Sequence, residues 1–264
     1  MAFIEENSGG LIYMRSTLIP ARHAFTTRLG GVSKGCFSSL NLGSNRGDEP
    51  EAVRENYRRV CALMGADIDG CAVTKQVHGN AVRIVTAADK HPCLSAVPYE
   101  ADGLVTAERH MPIMCFVADC VPVLLWDEGG SSAAAVHCGW RSSVADILGE
   151  AVRKMCSLGA NAGSIRAAIG PSIGRCCFET GDDVPRAVEE YLGGDTAGLF
   201  DRRADGKYLV DLRAANARRL MQLGVPAGNI DISRECTVCS HEKYWSHRYT
   251  KGQRGSQAAV IVLE

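Results

Sequence analysis

Short apolar runs bounded by glycine, proline or acidic turns alternate along the chain with stretches whose apolar positions recur every three or four residues. The runs predict strands and the stretches predict amphipathic helices. Asp48-Glu49-Pro50-Glu51 opens one helix with acidic residues in its first turn, and Val53, Tyr57, Val60, Cys61 and Met64 then form a stripe that ends at Gly65. Ser143-Val144-Ala145-Asp146 resembles a capping box with Asp in the Glu position. It predicts a helix starting directly after Arg141 that buries Val144, Leu148, Val152 and their neighbours. A further helix is expected from about Asp211 to Leu223, stopped by Gly224 and Pro226, with strands over 166–169 and 258–263. Strand and helix patterns mix throughout, without linker or repeat, so one domain over residues 1–264 is expected.

The segment from Ile113 to His137 carries the most chemistry. Apolar runs flank Asp127-Glu128-Gly129-Gly130, which reads as a four-residue hairpin turn with Trp126 paired to Ser131. That register sets Cys120 directly opposite His137, with Cβ atoms about 5 Å apart. Such a pair suits two ligands of one metal, or a thiolate and its base. On spacing alone, a buried thiol and a core histidine explain the pattern equally well. The gathering of Asp119, Cys120, His137 and Arg141 in one small region argues for chemistry, because cores rarely collect so many polar groups. The helix expected after Arg141 would begin beside His137, where its amides could hold an anion such as phosphate. His78, in Lys75-Gln76-Val77-His78-Gly79-Asn80, reads as a strand-end residue. It would complete a His, Cys, His set with one open position if the fold brought it there, which spacing cannot establish.

Composition narrows the class. The 264 residues are 46% hydrophobic and 22% charged with a formal net charge of −1, an ordinary globular balance without general attraction to nucleic acid or anionic membrane. The acidic opening Met1 to Asn7 is not a secretory signal, and Asp119 and Pro122 interrupt the longest apolar run, so a cytoplasmic protein is expected. The twelve cysteines should then stay reduced unless they bind metal. Cys36, Cys61, Cys71, Cys93, Cys115 and Cys156 read as small hydrophobes. Cys236-Thr237-Val238-Cys239 lacks a second CxxC at zinc-ribbon spacing and reads as two ordinary thiols. Adjacent Cys176 and Cys177 would point to opposite faces of a strand. His23, His91, His110, His241 and His247 read as solvent-exposed.

Phe25-Thr26-Thr27-Arg28-Leu29-Gly30-Gly31-Val32-Ser33, Ser39-Leu40-Asn41-Leu42-Gly43, Lys75 to Gly79, Ala118-Asp119-Cys120-Val121-Pro122-Val123-Leu124, His137-Cys138-Gly139-Trp140-Arg141 and Ile169-Gly170-Pro171 resemble, in this order, the YfiH family. That family is also known as laccase-domain or polyphenol oxidase proteins, as purine nucleoside phosphorylases and as peptidoglycan editing factors. The resemblance spans nearly the whole chain. It implies a single-domain α+β fold, a four-layer α/β/β/α sandwich with mixed sheets related to the catalytic domain of cytotoxic necrotizing factor. It implies zinc, with copper as the alternative, on His78, Cys120 and His137. It also implies phosphorolysis of adenosine, inosine and methylthioadenosine together with adenosine deamination. Three departures stand out: Ser142-Ser143 where the family usually has Gly-Thr or similar, Ser256 in place of an arginine with Arg254 or Arg248 nearby, and Arg46 where a hydrophobic residue is common.

The resulting expectation is a zinc-dependent nucleoside enzyme, monomeric or weakly homo-oligomeric, whose partners are a purine nucleoside and phosphate. Cys120, His137, Asp119 and Arg141 are the candidate catalytic residues, with Asp119 orienting a ligand, shuttling a proton or merely capping backbone. Arg141 and Lys75 are the first candidates for the anion, Arg46 and Arg175 the next, and Asn41 and Gln76 are candidates for ribose or base. The alternative is a Cys–His hydrolase editing peptidoglycan precursors, with Cys120 as nucleophile. A closed, non-catalytic zinc protein would need a fourth ligand. Copper-dependent polyphenol oxidation ranks last, because seven scattered histidines cannot furnish the repeated pairs of a multicopper site.

Overall fold

The computed structural model describes residues 2–44 and 46–264; Met1, which begins the acidic opening segment, and Asn45, which precedes Arg46, lie outside the described residues. Two large sheets dominate. An antiparallel five-stranded sheet runs in the order Phe3–Ser8, Leu11–Ser16, His23–Thr26, Gln257–Ile261, Ile113–Val117. A mixed six-stranded sheet runs Ile230–Ile232, Ile165–Ile169, Val121–Asp127, Ala133–Cys138, Gly103–Thr106, Val82–Ile84. A small sheet of Glu179–Thr180, Tyr208–Val210 and Phe200–Arg202 is inserted in sequence between Ile165–Ile169 and Ile230–Ile232.

The period of two along each strand divides the core. Val121, Val123 and Leu125 join Ala134, Val136 and Cys138 against the helices Ile147–Ser157 and Leu212–Gln222. Leu124, Ala133 and Ala135 face the other way and meet Phe25, Ile113 and Ile261 of the five-stranded sheet. The far face of that sheet packs Ala24, Met114 and Val260 on Val53, Tyr57 and Val60 of the helix Pro50–Leu63. Strands buried on both faces read as continuous apolar runs, which is why the segment around 113–137 is so hydrophobic. Among the described residues, no helix is long and apolar enough to cross a membrane.

The hairpin differs from the expected register. Val121 pairs with Cys138, Pro122 with His137 and Trp126 with Ala133. Asp127 stays in the strand because its carboxylate accepts from Ser131 and Ser164, moving the turn one residue onward. The helix after Arg141 also differs. A five-residue helix, Trp140–Val144, comes first; Asp146 then turns left-handed (φ 64°) and caps the longer helix Ile147–Ser157 through the Gly149 amide. The true cap is therefore Asp146, and Ser143 lies buried inside the short helix. His78 belongs to no strand; it sits at φ 62° in a loop. Cys36 and Cys156 are exposed, whereas His23 is buried.

Candidate metal centre and cleft

One buried carboxylate builds most of the centre. Asp102, at the entry to strand Gly103–Thr106, is fully buried and accepts the amides of Val77 (3.0 Å), His78 (2.9 Å) and Gly79 (2.9 Å). It also accepts the Nδ1 proton of His137 at 2.7 Å, and its backbone carbonyl takes the His137 amide at 2.8 Å. Bonding at Nδ1 fixes the tautomer and leaves Nε2 of His137 free for a ligand. The Asp102 carboxyl stays below its usual range: burial raises it, but the bonds from His137, Val77 and Gly79 win. Sequence reasoning missed this residue. The signal was an acid placed directly before the apolar run Gly103-Leu104-Val105-Thr106.

Cys120 enters from the opposite strand. The hairpin register, extended one step, sets it across from Gly139, so it meets His137 diagonally on the same face. Sγ of Cys120 lies 3.9 Å from Nε2 of His78, and the ligand atoms of His78, Cys120 and His137 all fall within 4.8 Å of one another. Gly139 leaves the room for this: a Cβ there would stand 3.1 Å from Cδ2 of His78 and 3.4 Å from the sulfur. Burial opposes charge on both members of the Cys120–His137 pair, yet each supports the other. His137 and His78 bring the thiol down to about 6, while Cys120 and Asp102 hold the His137 imidazole up at about 9. Two imidazoles and a thiol poised as thiolate, with His137 oriented by a carboxylate, fit a divalent zinc or copper centre with an open side.

That open side faces a cleft. Two adjoining hollows of about 180 and 310 Å³ share His78, Cys120, Arg46 and Arg254. Gln76 and Phe116 line one; Trp140, Ile173, Phe178 and His247 line the other. Arg254 is half-buried, its Nε has no partner among the described residues, and burial beside Arg46 lowers its pKa to about 10. Two crowded guanidiniums facing one hollow call for an anion.

Of the remaining sequence candidates, Asp119 and Gln76 also border the cleft, and the others lie away from it. Asp119, at φ 87°, accepts from Thr237, Ser246 and the Arg248 amide and so braces two loops. Arg141 is exposed, stacks on Trp140 and does not line the cleft, because the helix turns it outward. Lys75 pairs with Glu100 at the surface, and Arg175 bonds Asp201 and the Gly198 carbonyl. Asn41 is fully buried, spending its amide on Asp48, Gly43 and Ser256; Gln76 clasps both backbone groups of Phe116 at 2.7 Å. His247, expected only at the surface, borders the cleft.

The sequence model of the family described as "Multi-copper polyphenol oxidoreductase laccase" matches residues 22–264. The chain belongs to this family. Within it, a purine nucleoside phosphorylase of Deinococcus radiodurans is 37% identical over 254 residues, covering 96% of this chain and 94% of that one. A purine nucleoside phosphorylase of Corynebacterium glutamicum is 36% identical over 92% of this chain and 95% of its own. An adenosine deaminase, RL5, from an unknown prokaryotic organism is 35% identical, covering 85% of this chain and 87% of that one. The YlmD structure from Geobacillus stearothermophilus superposes with a TM-score of 0.92 at 30% identity over the whole of both chains. Bacillus licheniformis YfiH superposes with a TM-score of 0.91 at 28% identity over 98% of this chain and 99% of its own. The chain is thus a YfiH-family protein with a mixed α+β fold, and its named relatives support an enzyme.

Proposed function

We propose that this protein is a zinc-dependent purine nucleoside enzyme that phosphorolyses adenosine, inosine and methylthioadenosine and also deaminates adenosine. The observation that carries this reading is the shared cleft: the His78, Cys120, His137 set and the Arg46, Arg254 pair open onto the same hollow. Zinc held by that set would supply Lewis acidity and a more acidic bound water. For phosphorolysis, Arg46 and Arg254 would hold phosphate while one of its oxygens bonds C1′ of the ribose, the C1′–N9 bond breaks and the purine leaves with the bonding pair. Trp140 and Phe178 offer flat faces for the base. Asp102 acts as a positioning residue through His137 and the His78 loop.

The order of the three apolar cores, helix to sheet, sheet to sheet and sheet to helix, supports a four-layer single domain. The relation to cytotoxic necrotizing factor rests on the resemblance alone, as do a cytoplasmic location and a monomeric or weakly oligomeric state. A second reading, a hydrolase of peptidoglycan precursors with Cys120 as nucleophile, draws on the line Cys120, His137, Asp102. Copper-dependent oxidation draws on the family's description, yet this centre has only two histidines.

The test is to incubate metal-quantified protein with each nucleoside, with and without phosphate, and to identify products by mass. Free base with ribose 1-phosphate supports phosphorolysis and inosine from adenosine supports deamination. No turnover of any nucleoside refutes the proposal and favours the hydrolase.

A further inference from the structure

The fold brings together four cysteines that the sequence keeps in two unremarkable pairs. Cys176 and Cys177 lie in a turn, where adjacent side chains can converge, and Cys236 and Cys239 lie in a second turn beyond strand Ile230–Ile232. The Thr237 amide donates to the Ser172 carbonyl at 3.0 Å and the Gly174 amide to the Cys236 sulfur at 3.2 Å, joining the two turns. Sγ of Cys239 stands 3.6 Å from that of Cys176 and 3.5 Å from that of Cys177, and all four sulfurs fall within 4.8 Å of one another. The turn corrects the strand on which the vicinal pair would have pointed apart, and Cys239 of the CxxC finds neighbours beyond its own motif.

The spacing excludes a formed disulfide and suits an ion. Sulfurs bonded to each other sit about 2 Å apart. Four sulfurs at about 2.3 Å from a tetrahedral zinc sit about 3.8 Å apart, the scale of this cluster. The four thiols are free. We propose that Cys176, Cys177, Cys236 and Cys239 form a second metal centre, a closed tetrathiolate that takes zinc and fixes the wall of the cleft.

Three features suit that role. The Gly174 amide points at the Cys236 sulfur from 3.2 Å, a donor placed to support a thiolate. Gly174 admits the cluster, since a Cβ there would lie 3.1 Å from that of Cys236 and 3.2 Å from the Cys176 sulfur. Arg248 bonds the Cys177 carbonyl and Arg213 the carbonyls of Ser233 and Glu235, placing positive charge beside a centre of net charge −2. Each thiol that ligates releases its proton to solvent, and no electrons move. With four protein ligands, no position remains for substrate, so the centre is structural. It ties the loop carrying Ile173 and Phe178, which line the cleft, to the loop carrying Thr237, which grips Asp119.

The test counts zinc in intact protein purified under reducing conditions. About two zinc ions per chain are expected in the unaltered protein, about one in His78→Ala/Cys120→Ala and about one in Cys236→Ser/Cys239→Ser. A single zinc that vanishes with the first pair and persists with the second overturns the proposal. So does a disulfide among the four cysteines, seen by mass in unreduced protein. Should the serine variant fail to fold, cadmium added to metal-stripped His78→Ala/Cys120→Ala protein decides. Intense thiolate-to-cadmium absorption that saturates at about one ion per chain supports the site, and its absence overturns it. None of these readouts involves nucleoside turnover, so the outcome stands whatever the fate of the proposed activity.

Discussion

Replacing Asp102 with asparagine keeps the size of the side chain and removes half of its accepting capacity. In the native chain Oδ2 takes the Val77 and Gly79 amides, and Oδ1 takes the His78 amide and Nδ1 of His137. An amide has one oxygen, so its NH2 group must face one of those two pairs of donors. If it faces Val77 and Gly79, two part-buried N–H groups lose their partner, at up to about 1–3 kcal/mol each. The sum, up to about 2–6 kcal/mol, is a large part of a typical domain's stability of about 5–15 kcal/mol. If it faces His78 and His137, one backbone donor is orphaned and His137 must accept at Nδ1, which moves its proton to Nε2 where a metal would bind. Both orientations therefore cost stability and metal affinity, the first by loosening the loop that carries His78 and the second by turning the His137 tautomer as well. Asp102→Asn should unfold at lower urea in metal-free protein by at least about 1 kcal/mol, and should bind zinc about 10–100-fold more weakly in chelator competition. Unchanged unfolding and unchanged zinc affinity would refute the account of Asp102 as organiser of the centre.

Other outcomes follow from the same geometry. Gly139→Ala places a methyl against His78 and the Cys120 sulfur at an ordinary backbone conformation (φ −62°, ψ 160°), so zinc affinity should fall at least about tenfold while the urea midpoint changes little. Arg254→Met should raise the phosphate KM of nucleoside phosphorolysis about tenfold or more, whereas Arg141→Met should stay within about twofold; the reverse order would return the anion to Arg141. His23 is neutral, accepting the Ser16 amide at Nε2, and burial lowers its pKa to about 4. Its unfolded value is near 6.5, so its contribution is complete above that pH and is lost as pH falls toward 4. The full loss is about 3 kcal/mol. Urea unfolding between pH 7 and 4 should show that slope, and His23→Gln should flatten it.

How far the site could be read depended on how local each cause was. The stripe of Val53, Tyr57 and Val60 is set by neighbours three and four residues apart, and the helix Pro50–Leu63 follows it. Asp211 caps the helix Leu212–Gln222 through the Ala214 amide, again within one turn. Asp102 is different, because its partners lie 23 to 35 residues away and only the sheet brings them close. Cys176 and Cys239, 63 residues apart, meet for the same reason. Arg141 is close to His137 in sequence but not in the cleft: the short helix begins between them and carries the guanidinium outward onto Trp140.

The hairpin explains why a wrong register still led to the right cysteine and histidine. Moving the turn from Asp127–Gly130 to Glu128–Ser131 shifts one residue in each strand, so every cross-strand pairing moves by two. Side chains alternate with a period of two, and a slip of two leaves each on its original face. Cys120 and His137 thus stay on one side of the sheet, but as diagonal neighbours with Gly139 taking the directly opposed place. The difference has chemical content. Direct opposition would press a thiol and an imidazole together at their Cβ atoms, whereas the diagonal leaves the gap into which His78 reaches. A third ligand can enter only because the opposed residue has no side chain, and the Gly139→Ala experiment measures that vacancy directly.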